Sequence, residues 1–274
     1  MVQEIFQSAV LGIVQGLGEF LPISSTAHLI LIPKFFHWND SGLSFDVALH
    51  FGTLLAVVAY FWKDWVMIFK SAFQRESQKF SWSRSLRKSD IYGKNTLWFL
   101  LIATIPGVLA GYFLEMKAET IFRSEWLIAL ALAVAGLFLY IANIYLKHDK
   151  TIQKITLADS LLIGICQAVA IIPGISRSGA TITAGLWRGL DRISAAKFSF
   201  ILSMPIIFGA TVLKFSYLLK NFDFIISVGI ISSAISGYLA IKYLLKFVEK
   251  ASYRIFFWYR MILAVIIFIF YLFK

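Results

Sequence analysis

Two short motifs hold the residues that could do chemistry in this chain. The second motif, Pro173–Thr181, places Arg177 in an apolar run, between a Pro-Gly break and small hydroxyl residues. An arginine at membrane depth costs at least about 2.5 kcal/mol on insertion scales, so it needs a partner or a functional role. Ser176, Ser178 and Thr181 suit a helix N-terminus, which binds anions through its free N–H groups and its dipole. With a guanidinium added, such a site predicts a phosphate ligand.

The first motif supplies a carboxylate at the equivalent break. Glu19 ends one apolar run and precedes Pro22. A buried carboxylate can act as a general base or bind a divalent cation; the structural alternative is an ion pair with Arg177 that joins the two motifs. Gln15 lies one helical turn earlier on the same face, where it could position water or a metal-bound ligand, or make a plain hydrogen bond between helices.

Hydroxyl residues and a histidine follow the proline. Ser24 and Thr26 could cap the next helix or bind phosphate. Ser25 is the better candidate for a nucleophile or phosphate ligand, because it aligns with Arg177 in the repeat described below. His28 lies three residues further on the same helix face. It could activate Ser25, or it could itself be the nucleophile while Ser25 binds phosphate.

Three more ionisable residues lie in apolar segments. Asp46 and His50 are four residues apart on one face of a predicted span, where they could support the site or lie at an interface. Arg260 interrupts the last apolar run, and we expect it to snorkel to the surface or to pair structurally.

Composition indicates a membrane protein. Of the 274 residues, 59% are apolar and only 15% are charged, and the mean hydropathy is +0.77. A soluble protein of this size carries about a quarter charged residues. The net charge of +11 does not indicate nucleic acid, because in membrane proteins a basic excess reports topology. Common soluble-enzyme motifs, such as a glycine-rich nucleotide loop or HExxH, do not occur in the sequence.

The order of apolar runs predicts an all-α polytopic membrane protein with six spans. The first run, Ile5–Gly18, has 14 residues and would be about 21 Å long as a helix, too short for a hydrocarbon core of about 30 Å. Together with the short run after Pro22 it predicts a re-entrant hairpin of two half-length helices. Three spans follow, and the same order begins again after residue 150.

Residue matches support an internal repeat. Two stretches match at an offset of 152 residues: Gly12-Ile-Val-Gln15 with Gly164-Ile-Cys-Gln167, and Pro22-Ile-Ser-Ser25 with Gly174-Ile-Ser-Arg177. We therefore predict a single membrane domain, 1–274, made of repeats 1–150 and 151–274, each with one re-entrant hairpin and three spans. Because three is odd, the second repeat must be inverted, and the broken helices then meet near the membrane midplane.

Charge counting predicts the topology. The four segments 63–94, 147–158, 188–197 and 242–254 hold 18 of the 26 Lys and Arg residues. The positive-inside rule places these segments in the cytoplasm and both termini outside it. The first hairpin then enters from the outside and the second from the cytoplasm. A stripe of small residues, Gly229-Ser233-Gly237, predicts close helix packing, within the chain or in a homodimer.

The motifs resemble those of a known family. Gln15-Gly-Leu-Gly-Glu19-Phe-Leu-Pro-Ile-Ser-Ser-Thr-Ala-His28 and Pro173-Gly-Ile-Ser-Arg-Ser-Gly-Ala-Thr181 are similar to the two signatures of the undecaprenyl-diphosphate phosphatase family, of the bacitracin-resistance type. The stretch Ser44–Ala56 resembles a third, and the likeness covers essentially the whole chain. Family members often have Glu where this chain has Gln15, so a second carboxylate is missing there.

The resemblance implies a phosphatase of the bacterial inner membrane. It would hydrolyse undecaprenyl diphosphate to undecaprenyl phosphate, recycle the lipid carrier of cell-wall synthesis and confer bacitracin resistance. A divalent cation, Mg²⁺ or Ca²⁺, is expected with Glu19 as a ligand, and the site is expected to open to the outer, periplasmic face. The implied residues are Glu19, Ser25, His28 and Arg177 for catalysis, and Gln15, Ser24, Thr26, Ser176, Ser178 and Thr181 for diphosphate binding. The rival interpretation is a transporter or flippase for undecaprenyl phosphate that uses the same anion site.

Overall fold

The computed structural model describes residues 1–39, 42–73, 92–119, 121–220 and 222–273. Within these ranges the chain is helical, and its only β-type pairing is an isolated bridge between Lys150 and Leu190. The α-helices are α1 (Val2–Phe20), α2 (Ser25–Phe35), α3 (Gly42–Phe73), α4 (Thr96–Glu119), α5 (Glu125–Tyr145), α6 (Leu157–Val169), α7 (Arg177–Trp187), α8 (Arg192–Leu213), α9 (Phe215–Lys220), α10 (Phe224–Lys250) and α11 (Arg254–Leu272). Two short 3-10 turns, Ile121–Arg123 and Ile152–Lys154, complete the described helical structure.

Six of these helices are long and apolar enough to cross a bilayer, namely α3, α4, α5, α8, α10 and α11. This confirms the six predicted spans and identifies a multi-pass membrane protein. The third helix is kinked at Phe61, with φ −99° and ψ 16°, close to the predicted end of the span. Beyond the kink it continues to Phe73, because Trp65 and Ile68 bury one face. The predicted polar loop is shorter as a result, and its residues 74–91 lie outside the described ranges.

Two pairs of short helices, α1–α2 and α6–α7, precede the two sets of spans. Helices α2, α6 and α7 have 11, 13 and 11 residues, as expected for half-length helices. Helix α1 has 19 residues, about 28 Å, so the predicted 14-residue length was wrong. Its N-terminal extension carries Glu4 in the first turn, where a carboxylate stabilises the positive end of the helix dipole.

The two breaks between the short helices, residues 21–24 (the first break) and 170–176 (the second break), follow from proline and glycine. Leu21 is extended, with ψ 137°, because a residue that precedes a proline is disfavoured in the helical region. In the second break Gly174 has φ +101°, which favours glycine. A Cβ there would lie 2.6 Å from the carbonyl oxygen of Ile128, so the break packs tightly on α5.

Small residues allow the helices to approach closely. Helix α1 packs along α10, where a Cβ added at Gly12 would lie 2.5 Å from the carbonyl oxygen of Gly229. Helix α6 packs along α4, where a Cβ added at Gly164 would lie 2.6 Å from the carbonyl oxygen of Ala103. The predicted small-residue stripe on α10 therefore serves contacts within the chain.

Candidate active site

The two breaks contact each other directly. Ser24 Oγ accepts a hydrogen bond from the backbone N–H of Gly174, with an N–O distance of 3.0 Å. Ser178 Oγ donates to the carbonyl oxygen of Leu21 at 3.2 Å. These reciprocal contacts bring the first residues of α2 and α7, Ser25 and Arg177, to the same region.

A cavity of about 200 Å³ lies where the breaks meet. This is room for roughly six waters at about 30 Å³ each, enough for a phosphate group with some of its water. The polar lining residues are Glu19, Ser24, Ser25, Thr26, His50, Ser176 and Arg177. Ile206, Ile207 and Ala210 of α8 form an apolar side.

Glu19 is the central carboxylate of the cavity. Its side chain is 6% exposed, and its Oε1 lies 2.8 Å from Arg177 Nη2. Its Oε2 accepts hydrogen bonds from Gln15 Nε2 at 3.0 Å and from Ser25 Oγ at 3.3 Å. The ion pair between the two motifs is therefore present, and a serine hydroxyl is hydrogen-bonded to a carboxylate that could accept its proton.

Arg177 is held by hydrogen bonds to two other helices. Its Nη1 donates to the carbonyl oxygen of Ser199 at 2.9 Å, and its Nη2 donates to Glu19. Its Nε is buried and has no hydrogen-bond partner among the described residues. The guanidinium of Arg177 lines the cavity, so its positive charge favours an anionic ligand there.

The two helix N-termini differ in their caps. Ser176 Oγ accepts from the N–H of Gly179 at 3.1 Å and so caps α7. Ser24 makes no side-chain cap to α2, because its hydroxyl already binds Gly174. The first turn of α2, next to the cavity, therefore keeps backbone N–H groups that an anion could accept from.

The two histidines are engaged differently. His28 Nδ1 donates to the carbonyl oxygen of Ser24 at 2.7 Å, and its Nε2 accepts from the hydroxyl of Tyr259 at 2.6 Å, since a carbonyl can only accept. His50 Nδ1 likewise donates to the carbonyl oxygen of Asp46 at 2.7 Å, and its Nε2 faces Glu19 Oε2 at 3.5 Å. Only His50 lines the cavity.

Three of the predicted substrate-binding residues lie behind the cavity wall. Gln15 is fully buried and orients Glu19. Ser178 bonds to the first break, and Thr181 pairs with Ser199 Oγ at 2.7 Å. In this arrangement they support Glu19 and Arg177, whereas Ser24, Thr26 and Ser176 line the cavity itself.

Two further ionisable residues now have defined partners. Asp46 lies 3.6 Å from Arg123 through its carboxylate, so its side chain points to another part of the structure. Arg260 is fully buried and donates to the carbonyl oxygens of Pro22 and Ile175. It does not snorkel, because both breaks offer it backbone acceptors inside the protein.

Oxygen ligands for a divalent cation are few in the cavity. Among the described residues no three His, Cys, Asp or Glu side chains come together as a metal site. Glu19 offers one carboxylate, and the buried Oε1 of neighbouring Gln15 has no partner in the described part of the chain. Because Mg²⁺ commonly binds through one or two carboxylates plus substrate phosphates, these residues fit a cation that is bound together with a diphosphate.

Comparison with known proteins identifies the family. A family model described as bacitracin resistance protein BacA matches residues 8–266. The chain is 48% identical over 268 residues to an undecaprenyl-diphosphatase of Pelotomaculum thermopropionicum, with 96% of each chain covered. It is 47% identical over 264 residues to one of Moorella thermoacetica, again with 96% of each covered, and 46% identical over 277 residues to one of Caldicellulosiruptor bescii, with 98% of each covered. The chain therefore belongs to the bacitracin resistance protein BacA family.

Proposed function

We propose that this protein hydrolyses undecaprenyl diphosphate to undecaprenyl phosphate and inorganic phosphate, and so recycles the lipid carrier of cell-wall synthesis and confers bacitracin resistance. The relatives described above carry the name of this activity over nearly the whole chain. The observation that carries the proposal is the cavity in which Glu19 and Ser25 of one motif meet Arg177 of the other. None of these relatives is named as a transporter, so the flippase interpretation has no support from them.

Diphosphate binding uses Arg177 and the α2 N-terminus. The guanidinium of Arg177 supplies positive charge at the cavity wall, and the uncapped first turn of α2 supplies backbone N–H groups. Ser24, Thr26 and Ser176 add hydroxyl groups at the cavity wall. These donors stabilise the charge that develops on the transferred phosphoryl group, which is the main task of a protein in phosphoryl transfer.

Ser25 is the nucleophile in this proposal. Its hydroxyl donates to Glu19 Oε2, whereas both ring nitrogens of His28 already have partners. Ser25 Oγ attacks the terminal phosphorus, Glu19 accepts the hydroxyl proton, and the bond from that phosphorus to the bridging oxygen breaks to release undecaprenyl phosphate. Glu19 passes that proton to the undecaprenyl phosphate that leaves. Water then attacks the phosphoserine and loses a proton to Glu19, and Glu19 gives this proton to Ser25 Oγ as the bond from Ser25 to phosphorus breaks and phosphate is released.

A divalent cation, Mg²⁺ or Ca²⁺, is part of the proposal. Glu19, the carboxylate at the cavity wall, would hold it beside the substrate. When bound, it supplies Lewis-acid stabilisation of phosphoryl oxygens. The chain's own contribution is to orient Glu19 through Gln15 and Arg177.

The lipid tail would leave the cavity on its apolar side. Ile206, Ile207 and Ala210 of α8 line that side next to the polar groups. Burying the first isoprene units there removes apolar surface from water by the same effect that holds the tail in the bilayer. Membrane lipids would surround the rest of the chain.

We also propose that the fold is an inverted repeat of two re-entrant hairpins in the bacterial inner membrane. The packing supports it, because the first helix of each repeat packs on a helix of the other repeat. Helix α1 packs on α10 and α6 packs on α4, through glycines at the matching positions 12 and 164. The charge distribution in the sequence supports a cavity that opens to the periplasm through the first hairpin. A homodimer remains a prediction, as does the division of the domain at residue 150.

Phosphate release by the purified protein tests the activity and the role of Glu19 together. We expect release from undecaprenyl diphosphate in detergent, loss of release with a metal chelator, and a fall of about 10²–10⁴-fold in kcat for Glu19→Gln, as for loss of a general base. Glu4→Gln is the matched control, because Glu4 is an exposed carboxylate of the same helix.

Each part of this experiment can fail separately. Undiminished turnover in Glu19→Gln would show that the Glu19 carboxylate is not needed for hydrolysis. Full turnover in the presence of chelator would show that the reaction needs no divalent cation, and it would not contradict Ser25 as the nucleophile. No release from folded wild-type protein would contradict the phosphatase activity itself.

A further inference from the structure

Arg260 connects the two breaks from a third helix. It is fully buried within α11, far from either motif in sequence. Its Nε donates to the carbonyl oxygen of Pro22 at 2.7 Å, and its Nη2 donates to the carbonyl oxygen of Ile175 at 2.8 Å. Pro22 precedes Ser25 by three residues, and Ile175 precedes Arg177 by two. One guanidinium therefore bonds to the backbone immediately before both residues that face the cavity.

The surroundings of Arg260 are shaped to admit it. A Cβ added at Gly179 would lie 2.6 Å from Arg260 Nη2, so the glycine of the second motif makes room for the guanidinium. Gly136 of α5 does the same for the aliphatic part, since a Cβ there would lie 3.3 Å from Arg260 Cβ. The preceding residue, Tyr259, donates its hydroxyl to His28 on α2. Helix α11 thus makes hydrogen bonds to the first hairpin through Tyr259 and Arg260, and to the second hairpin through Arg260.

A purely structural role does not account well for a charged residue here. In the described part of the chain the guanidinium pairs with no carboxylate, and its Nη1 has no hydrogen-bond partner. A charge at such depth costs at least about 2.5 kcal/mol on insertion scales. A neutral donor could satisfy one carbonyl at less cost. A planar fork whose N–H groups lie on different nitrogens bonds to two carbonyls and fixes the distance between them.

We propose that Arg260 is a positioning residue for the phosphatase site. It holds the first and second breaks at a fixed separation, so that Ser25 and Arg177 both contact the same diphosphate. Arg260 does not touch the substrate in this proposal, which rests on the function proposed above. Diphosphate binding depends on Arg177 and the α2 N-terminus, whereas attack depends on the alignment of Ser25 with the bound phosphorus. Loss of Arg260 should therefore affect turnover more than binding.

Arg260→Lys is the first test. A lysine carries its three N–H donors on one nitrogen at the end of a flexible chain, so it holds the separation of the two carbonyls less rigidly than the planar guanidinium. A displacement of about 1 Å at the nucleophile can lower the rate by about 10²-fold, so we expect kcat to fall by about that factor while KM stays near the wild-type value. The matched control is Arg254→Lys, an exposed arginine of the same helix, which should leave both parameters unchanged.

Binding of methylenediphosphonate, a diphosphate that cannot be hydrolysed, separates positioning from stability. We expect Arg260→Lys to bind it with wild-type affinity and stoichiometry, so that kcat per binding-competent chain falls. Gly136→Ala is a second variant that keeps Arg260 but pushes on its aliphatic part, and it should lower kcat in the same direction with binding retained. Added guanidinium should restore part of the turnover of Arg260→Ala, because it can occupy the vacated space.

Two outcomes would overturn the proposal. Wild-type kcat in Arg260→Lys would show that the bridge is dispensable. A fall in kcat matched by an equal fall in the number of binding sites would show a purely structural role. Failure of the phosphatase assignment is distinguishable, because wild-type protein would then release no phosphate in the same assay.

Discussion

The two breaks share a left-handed φ at the helix N-cap but carry different side chains. Ser24 and Ser176 are each the N-cap of a short helix, with φ 71° and 70°, in a region that residues other than glycine seldom adopt. The next residue is Ser25 in one break and Arg177 in the other. A shared geometry thus presents a nucleophile candidate on one side of the cavity and a cation on the other. The two copies of the repeat therefore supply different groups, a nucleophile and a cation, to one proposed reaction.

The capping serines differ in a way that matters for the ligand. Ser176 Oγ accepts from the N–H of Gly179 within its own helix, whereas Ser24 Oγ accepts from the N–H of Gly174 in the other break. The positive φ at both positions is the kind of local strain that collects at functional sites. Ser24 therefore bonds to the second hairpin and does not cap α2. The N-terminus of α2 is left free to bind an anion at the cavity.

Among the variants that test the different roles of the two breaks, Arg177→Lys should lower turnover most. Arg177 is fixed by the carbonyl oxygen of Ser199 and by Glu19, and its side chain lines the cavity. Lysine keeps the charge but cannot make these directed contacts together. We expect kcat to fall by about 10³-fold or more, the lower end for a transition-state arginine in phosphoryl transfer. Steady-state phosphate release measures it, with Arg254→Lys as control.

The lysine variant should also bind methylenediphosphonate more weakly, which distinguishes it from Arg260→Lys. Wild-type affinity together with wild-type turnover would mean that the second break does not supply the anion site.

Much of the fold could be predicted from the sequence, because the bilayer restricts it strongly. Apolar runs of spanning length gave the six spans, and the matches around Gly12 and Gly164 located the two pairs of short helices. The end of α3 was harder, since Lys63 and Asp64 resemble a loop start although Trp65 and Ile68 continue the buried face. The pattern of charges could not show that tertiary packing prolongs the helix.

The site was predicted in part, and its missing elements are backbone contacts. The motifs indicated Glu19, Ser25 and Arg177, which the structure brings together. The carbonyl oxygen of Ser199, which holds Arg177, leaves no signal in side-chain chemistry. Arg260 did leave a signal, as a charge in an apolar run, but the sequence does not reveal that its acceptors are two carbonyls on distant segments.

Ser25→Ala and Ser176→Ala sharpen the comparison between the breaks. Ser25→Ala removes the proposed nucleophile, so we expect phosphate release to be lost and no phosphoserine to be trapped when the reaction is quenched with acid. Ser176→Ala removes a helix cap worth about 1 kcal/mol, so it should lower thermal stability and reduce kcat only modestly. Equal losses in the two variants would mean that the hydroxyls act alike, as phosphate ligands on a symmetric site.

His28→Gln should have the smallest effect on turnover, and it decides between Ser25 and His28 as the nucleophile. His28 Nδ1 is bonded to Ser24 and its Nε2 to Tyr259, so its ring bridges α11 to the break and offers no lone pair to the cavity. Losing two such hydrogen bonds costs about 1–3 kcal/mol, which a thermal-unfolding midpoint should register while kcat stays within the range of a packing change. Tyr259→Phe is the informative partner, because it removes the hydroxyl that occupies Nε2. If histidine were the nucleophile, Tyr259→Phe would free it and raise turnover, and His28→Gln would abolish turnover; with Ser25 as nucleophile, both variants retain phosphate release and lose only stability.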